Sequence, residues 1–178
     1  MRKLKNEELN RLSVDAFKNA EKVPYVLVLD NVRSLNNVGS AFRTADAFAL
    51  ERIYLCGITG QPPHREINKT ALGATESVEW EYCKDVIQVI KELKQKGYSI
   101  IAIEQADKSR YLDQYFPTES KLALVFGNEV SGVHEDIIAM ADEVIEIRQF
   151  GTKHSLNISV SIGVVVWDIL SKQRFEKD

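Results

Sequence analysis

The chain is short of the residues that announce a metal centre, a disulfide framework or a route out of the cell. Only two of its 178 residues are cysteine, Cys56 and Cys83, without metal-ligand spacing or the numbers of a disulfide scaffold. Reduced thiols in a cytoplasmic protein are the simplest reading. Three histidines, His64, His134 and His154, are scattered with no Glu-x-x-His pair among them, so no metal is expected. No apolar run approaches about 18 residues without a charge, and MRKLKNEELNRL is too charged for a signal peptide. Neither a membrane span nor secretion is therefore expected. An excess of positive charge is missing too, since 23 Lys and Arg stand against 26 Asp and Glu, a net charge of −3. That argues against nucleic acid spread over the whole surface, but not against a local basic cleft. The stock phosphate signatures are absent as well: there is no G-x-x-x-x-G-K-[ST], and no G-x-G-x-x-G follows a strand.

What is present is an ordinary globular composition, 44% apolar and 28% charged, in a chain long enough to bury the core of one domain. Residues 4–20 read as an amphipathic helix, with Leu4, Leu9, Leu12 and Phe17 on one side and Pro24 ending it. This gives a helical extension over residues 1–23 ahead of a main domain over 24–178. Apolar runs of strand length follow at 25–30, 52–56, 78–82, 98–103, 121–126 and 143–147. Helical spacing fits 39–49, 85–96 (closed by Gly97) and 134–141, while NVRSLNNVG and the Gly57 to Pro63 stretch read as turn and loop. Strands alternating with helices, several of them apolar throughout, predict an α/β fold: a parallel sheet with helices on both faces.

In such sheets ligands bind beyond the carboxyl ends of the strands. Polar residues gather there: Asn36, Asn37, Gly39 and Arg43 after the first strand, and Glu104 and Gln105 after YSIIAI. Gly127 to Gly132 follows LALVF, and Arg148 with FGTKHSLN follows the last strand. Turns account for Gly, Asn and Ser, but have no need of Glu129, Arg43 or Asn157. The stretch FGTKHSLNISVSIGVVVWDIL (150–170) is too long for a strand and too apolar for a surface helix. A helix buried by the sheet on one side and a partner on the other accommodates it. Ser155 suits the N-cap of that helix. As a hydrolase nucleophile Ser155 would lack a base, because adjacent helical residues such as His154 do not face each other.

Three segments carry a family resemblance. NNVGSAFRTADAF (36–48), LVFGNEVSGV (124–133) and IRQFGTKHSLNISVSIG (147–163) resemble, in order, the three motifs of the SpoU/TrmH family of RNA ribose 2′-O-methyltransferases. The resemblance implies the SPOUT fold with a C-terminal deep trefoil knot, a rare exception to the rule against knots. It also implies S-adenosylmethionine as cofactor and a homodimer joined through the knot region. Its catalytic set maps onto Asn37, Arg43, Glu129, Ser155 and Asn157, with Glu129 orienting Arg43. Its cofactor contacts map onto Glu104, Phe126, Gly127, Asn128, Ile147, Gln149, Ser155 and Leu156. Gly151 would let the loop approach the cofactor, and Ser159, Ser161 and Gly163 would allow close helix packing. A guanidinium stays protonated in proteins, so binding phosphate and stabilising a developing alkoxide suit Arg43 better than acting as a base. Arg148 stands where the family commonly has proline, adding a cation that could meet RNA phosphate. Arg33, Arg65, Lys69 and Lys153 add to the basic residues near the proposed site. The expected partner is RNA, tRNA being favoured over rRNA; the alternatives are an rRNA enzyme and a non-catalytic RNA-binding relative.

Overall fold

The run VLVLD is apolar on both sides because it lies in the middle of a sheet. In the computed structural model, which describes residues 1–174, a 3-10 turn at Asn6–Leu9 and helix α1 (Val14–Asn19) lead into strand β1 (Val23–Asp30). There follow α2 (Leu35–Ala47), β2 (Leu50–Cys56), α3 (Arg65–Ala71), α4 (Ala74–Ser77), β3 (Trp80–Cys83), α5 (Val86–Gln95) and β4 (Ser99–Ile103). The chain continues through β5 (Arg110–Tyr111), a 3-10 turn (Leu112–Gln114), β6 (Leu122–Phe126), α6 (Glu135–Met140), β7 (Glu143–Glu146) and α7 (Ile158–Arg174). Every strand pairing is parallel, in the order β3-β2-β1-β6-β4-β7-β5.

Alternation of side chains divides the core into two layers. Tyr25, Leu27, Leu29, Ile53, Leu55, Leu124 and Phe126 point to the layer covered by α1, α2, α4 and α7. Val26, Val28, Tyr54, Ile100, Ala102 and Val125 point to the layer covered by α5 and α6. Each fully buried valine, leucine, isoleucine or phenylalanine among them contributes about 1.5–3 kcal/mol. Helices therefore lie on both faces, as expected. No helix among the described residues is long and apolar enough to cross a membrane.

Several local expectations are corrected. Residues 4–20 do not form one helix: Asn10 adopts a left-handed conformation (φ 47°), and Leu4, Leu9 and Leu12 are exposed. Only the short α1, capped by Ser13 and anchored by the buried Phe17, reaches the core. Pro24 stops no helix but sits near the start of β1, where a missing N–H is tolerated. Helix α2 begins at Leu35, because the Ser34 side chain accepts from the Asn37 amide and turns the apparent loop Asn36-Asn37 into a first helical turn. α3 and α4, unforeseen in the sequence, pack beside α2. A Cβ on Gly39 would collide with the Thr70 hydroxyl and the Ile67 carbonyl, so glycine sets how closely α2 and α3 approach.

Candidate active site

The loops leaving β4, β6 and β7 enclose a groove of about 720 Å³ at the carboxyl edge of the sheet, within the usual size of a small-molecule site. All eight residues expected around a cofactor line it: Glu104, Phe126, Gly127, Asn128, Ile147, Gln149, Ser155 and Leu156. Glu129, His154 and Asn157 line it too. Its walls mix apolar side chains such as Ile103, Phe126 and Leu156 with backbone and polar groups.

The wall after β6 is a tight reversal. Asn128 and Gly132 exchange backbone hydrogen bonds of 3.0 and 2.9 Å. The Asn128 side chain accepts from the amides of Val130 (2.8 Å) and Ser131 (3.2 Å) and donates to the Asn31 carbonyl (2.7 Å). Gly127 must be glycine, since a Cβ there would strike the backbone of Gly132 and Val133. Gly132 has φ +69°, and its missing side chain leaves room for the Glu104 carboxylate. That carboxylate accepts from the amides of Val133 (2.9 Å) and Gln105 (2.8 Å), tying the ends of β4 and β6 together.

Glu129 bolts this reversal to the start of α2. Its two carboxylate oxygens accept from the amides of Arg33 and Ser34, each at 3.0 Å, and from the Asn37 side-chain amide at 3.3 Å. Partial burial opposes ionisation of Glu129, but these donors outweigh it and hold the carboxyl below its ordinary range. Asn37 is buried; Arg43 is exposed. The expected Glu129–Arg43 contact is not formed, because both Glu129 oxygens are taken by donors at the helix start. Arg43 stands two turns further along, on the exposed stripe with Asn36 and Ser40, outside the groove lining.

The SpoU rRNA Methylase family model matches residues 24–167, from β1 into α7. The chain belongs to that family. As a SpoU methylase family member it is 30% identical over 152 residues to a 23S rRNA (guanosine-2′-O-)-methyltransferase, RlmB, of Neisseria meningitidis, covering 85% of this chain and 60% of that protein. It is 32% identical over 159 residues to a tRNA (guanosine(18)-2′-O)-methyltransferase of Aquifex aeolicus, covering 85% of this chain and 71% of the relative. The chain thus spans between three-fifths and three-quarters of these two relatives. The crystal structure of the A. aeolicus TrmH/SpoU tRNA modifying enzyme superposes with a TM-score of 0.80 at 25% identity, over 92% of this chain and 82% of that one.

In this SpoU family member the third motif departs from expectation in two places, the cap of α7 and Arg148. Helix α7 starts at Ile158, and its cap is Asn157, whose Oδ1 accepts from the Ser159 amide (2.9 Å) and hydroxyl (2.6 Å). Ser155 is therefore not the cap; it lies exposed in the preceding loop, facing the groove. Arg148 is turned to the structure rather than outward, with Nε 2.9 Å from Asp113 and its guanidinium 3.5 Å over the Tyr111 ring. A Cβ on Gly151 or Gly163 would meet nothing within 4 Å, so no contact inside the chain demands glycine there. One organising residue was missed. Asn31, at φ 55°, donates to Asp30 (2.7 Å), accepts from the Ile58 amide (3.1 Å) and receives Asn128 on its carbonyl, joining three strand ends. Asparagine's tolerance of left-handed backbone is the only signal sequence offered.

Proposed function

We propose that this chain is a cytoplasmic, S-adenosylmethionine-dependent methyltransferase acting on a ribose 2′-hydroxyl of structured RNA, tRNA in preference to rRNA. The observation that carries the reading is the convergence of all eight expected cofactor residues on one groove, with the start of α2 fixed to its edge by Glu129. The groove fits such a cofactor chemically: apolar side chains can cover a base, and backbone groups around Gly127 and Ile147 offer hydrogen bonds to its polar edge. Glu104, Phe126, Gly127, Asn128, Ile147, Gln149, Ser155 and Leu156 would hold it. When bound it supplies a methyl group on a sulfonium, an activated leaving group. Preference for tRNA is supported by the larger share of the tRNA-modifying relative that this chain spans.

The residues of the chain have to position and polarise the hydroxyl. Arg43 would bind the neighbouring phosphate and stabilise charge developing on the 2′-oxygen. Asn37 and Glu129 would fix the first motif against the groove; Ser155 would hydrogen-bond at its floor, and Asn157 would set the direction in which α7 leaves it. We further read the chain as a homodimer through α7 with a knotted C-terminal segment. Val160, Val164 and Trp167 recur at i, i+4 and i+7 along α7 and are 50%, 39% and 54% exposed, an apolar stripe suited to a second copy. Gly163 lies open beside it. The knot is supported by β7 entering between the earlier β4 and β5, and by the Gln105 side chain holding the His154 carbonyl (3.0 Å) as the chain returns to α7. Arg43 lies outside its own groove, so we place it at the groove of the other subunit.

Incubation with methyl-labelled S-adenosylmethionine and separate tRNA and rRNA transcripts tests the reaction. Alkali-resistant label at a ribose of tRNA is expected. Label only on rRNA would reverse the substrate preference, and binding of RNA without label across many transcripts would favour a non-catalytic relative.

A further inference from the structure

Four arginines of this acidic chain are neutralised locally: Arg2 by Glu8, Arg52 by Glu81, Arg110 by Glu143 and Arg148 by Asp113. Arg33, Arg43, Arg65 and Lys69 are treated differently. All four are exposed, and among the described residues none forms an ion pair. They also lie on, or just before, two helices locked together. Arg33 immediately precedes the Ser34 cap of α2, Arg43 is on its exposed stripe, and Arg65 and Lys69 sit one turn apart on α3. The Thr70 hydroxyl donates to the Asn36 carbonyl (3.0 Å), and Gly39 leaves no gap between the helices. The cations therefore occupy a fixed surface. Glu66 and Glu76 are the acidic residues of the α3–α4 segment, and neither pairs with them.

Unpaired cations held on a rigid surface repel one another until a polyanion replaces their counterions. The surface begins at the groove, because the Glu129 carboxylate that lines the groove also holds the Arg33 amide. We infer that the α2–α3 face is the docking surface for the phosphate backbone of the RNA substrate, with Arg65 and Lys69 as its grip beyond the reacting nucleotide. This inference rests on the methyltransferase reading and deepens it. Contacts of this kind fix register and orientation without reading sequence, which leaves the choice of nucleotide to the shape of the RNA.

The test is filter binding of a tRNA transcript and an rRNA fragment across a salt series from about 50 to 200 mM. Wild type, the double variant Arg65→Ala/Lys69→Ala, and Lys91→Ala are compared; Lys91 is exposed on α5, against the opposite layer of the sheet. The double variant should bind at least roughly tenfold more weakly, with its log–log salt slope reduced by about 1 to 2. Lys91→Ala should match wild type, and S-adenosylhomocysteine binding by calorimetry should be the same in all three. An unchanged affinity and slope in the double variant, or an equal loss in Lys91→Ala, overturns the docking surface while leaving the groove reading standing. Failure of the wild type to bind S-adenosylhomocysteine would instead overturn the methyltransferase reading itself.

Discussion

Arg43 and Glu129 occupy opposite electrostatic situations, and their substitution should read out differently. Arg43 holds no structural partner among the described residues, so Arg43→Ala should leave folding and S-adenosylhomocysteine binding intact. Methylation should fall by about a hundredfold or more, the cost of one preorganised donor. Arg43→Lys keeps the charge but not the planar fork and should also be badly impaired; near-normal turnover of either variant removes Arg43 from the mechanism. Glu129 holds the start of α2 at the edge of the groove. Its folded carboxyl lies below the ordinary carboxylate range, so the stabilisation it gives is complete above that range and is lost as pH falls through the lowered folded value. Amide exchange at Arg33 and Ser34, relative to its intrinsic rate at each pH, should accelerate in that acidic window in the wild type. In Glu129→Gln it should be fast already at neutral pH, since the amide group offers a donor where two donors need acceptors. Equal protection in the variant would show that the carboxylate is not what orders the start of α2.

At the scale of elements, α7 carries the strongest expectation. Val164→Glu places a charge in the middle of its exposed apolar stripe, while Val165 and Val166 keep the helix seated in the core. Light scattering should report twice the chain mass for the wild type and a shift toward monomer for the variant; a monomeric wild type would remove the dimer reading. The elements also differ in how far sequence exposes them. The central strands are legible because strands buried on both faces read as unbroken apolar runs, as 25–30 and 121–126 do. α3 and α4 are not, because helices of seven and four residues are too short to show a period, and Pro62-Pro63 just before them reads as loop. The start of α2 is hidden by Asn36-Asn37, residues that suit a turn equally well, and the cap of α7 is misplaced because serine and asparagine both suit that role. The groove was legible through motif residues rather than periodicity. The route of Glu129's hydrogen bonds was not, since two backbone amides leave no trace in side-chain identity.

For the molecule as a whole, the proposed dimer makes a prediction about which site each Arg43 would serve. Arg43→Ala and Ser155→Ala proteins, inactive alone, should recover part of the activity when unfolded together and refolded as mixed dimers, because one groove then meets an intact Ser155 and an intact Arg43. If each subunit instead used its own pair, both grooves of the mixed dimer would carry a lesion and no activity would return. The order of strands has a consequence of another kind, in the timing of synthesis. β1, β2 and β3 can join one another as they leave the ribosome, but β4 finds its neighbours only in β6 and β7, both of which are made later. Residues 99–103 must therefore wait, apolar and with both edges unpaired, until residues 122–126 emerge. Such a delay exposes a nascent chain to mispairing and aggregation. The groove, built from the ends of those same three strands, is the last part of the molecule to form, so a ribosome-bound chain cannot offer the proposed cofactor site before α7 is within reach.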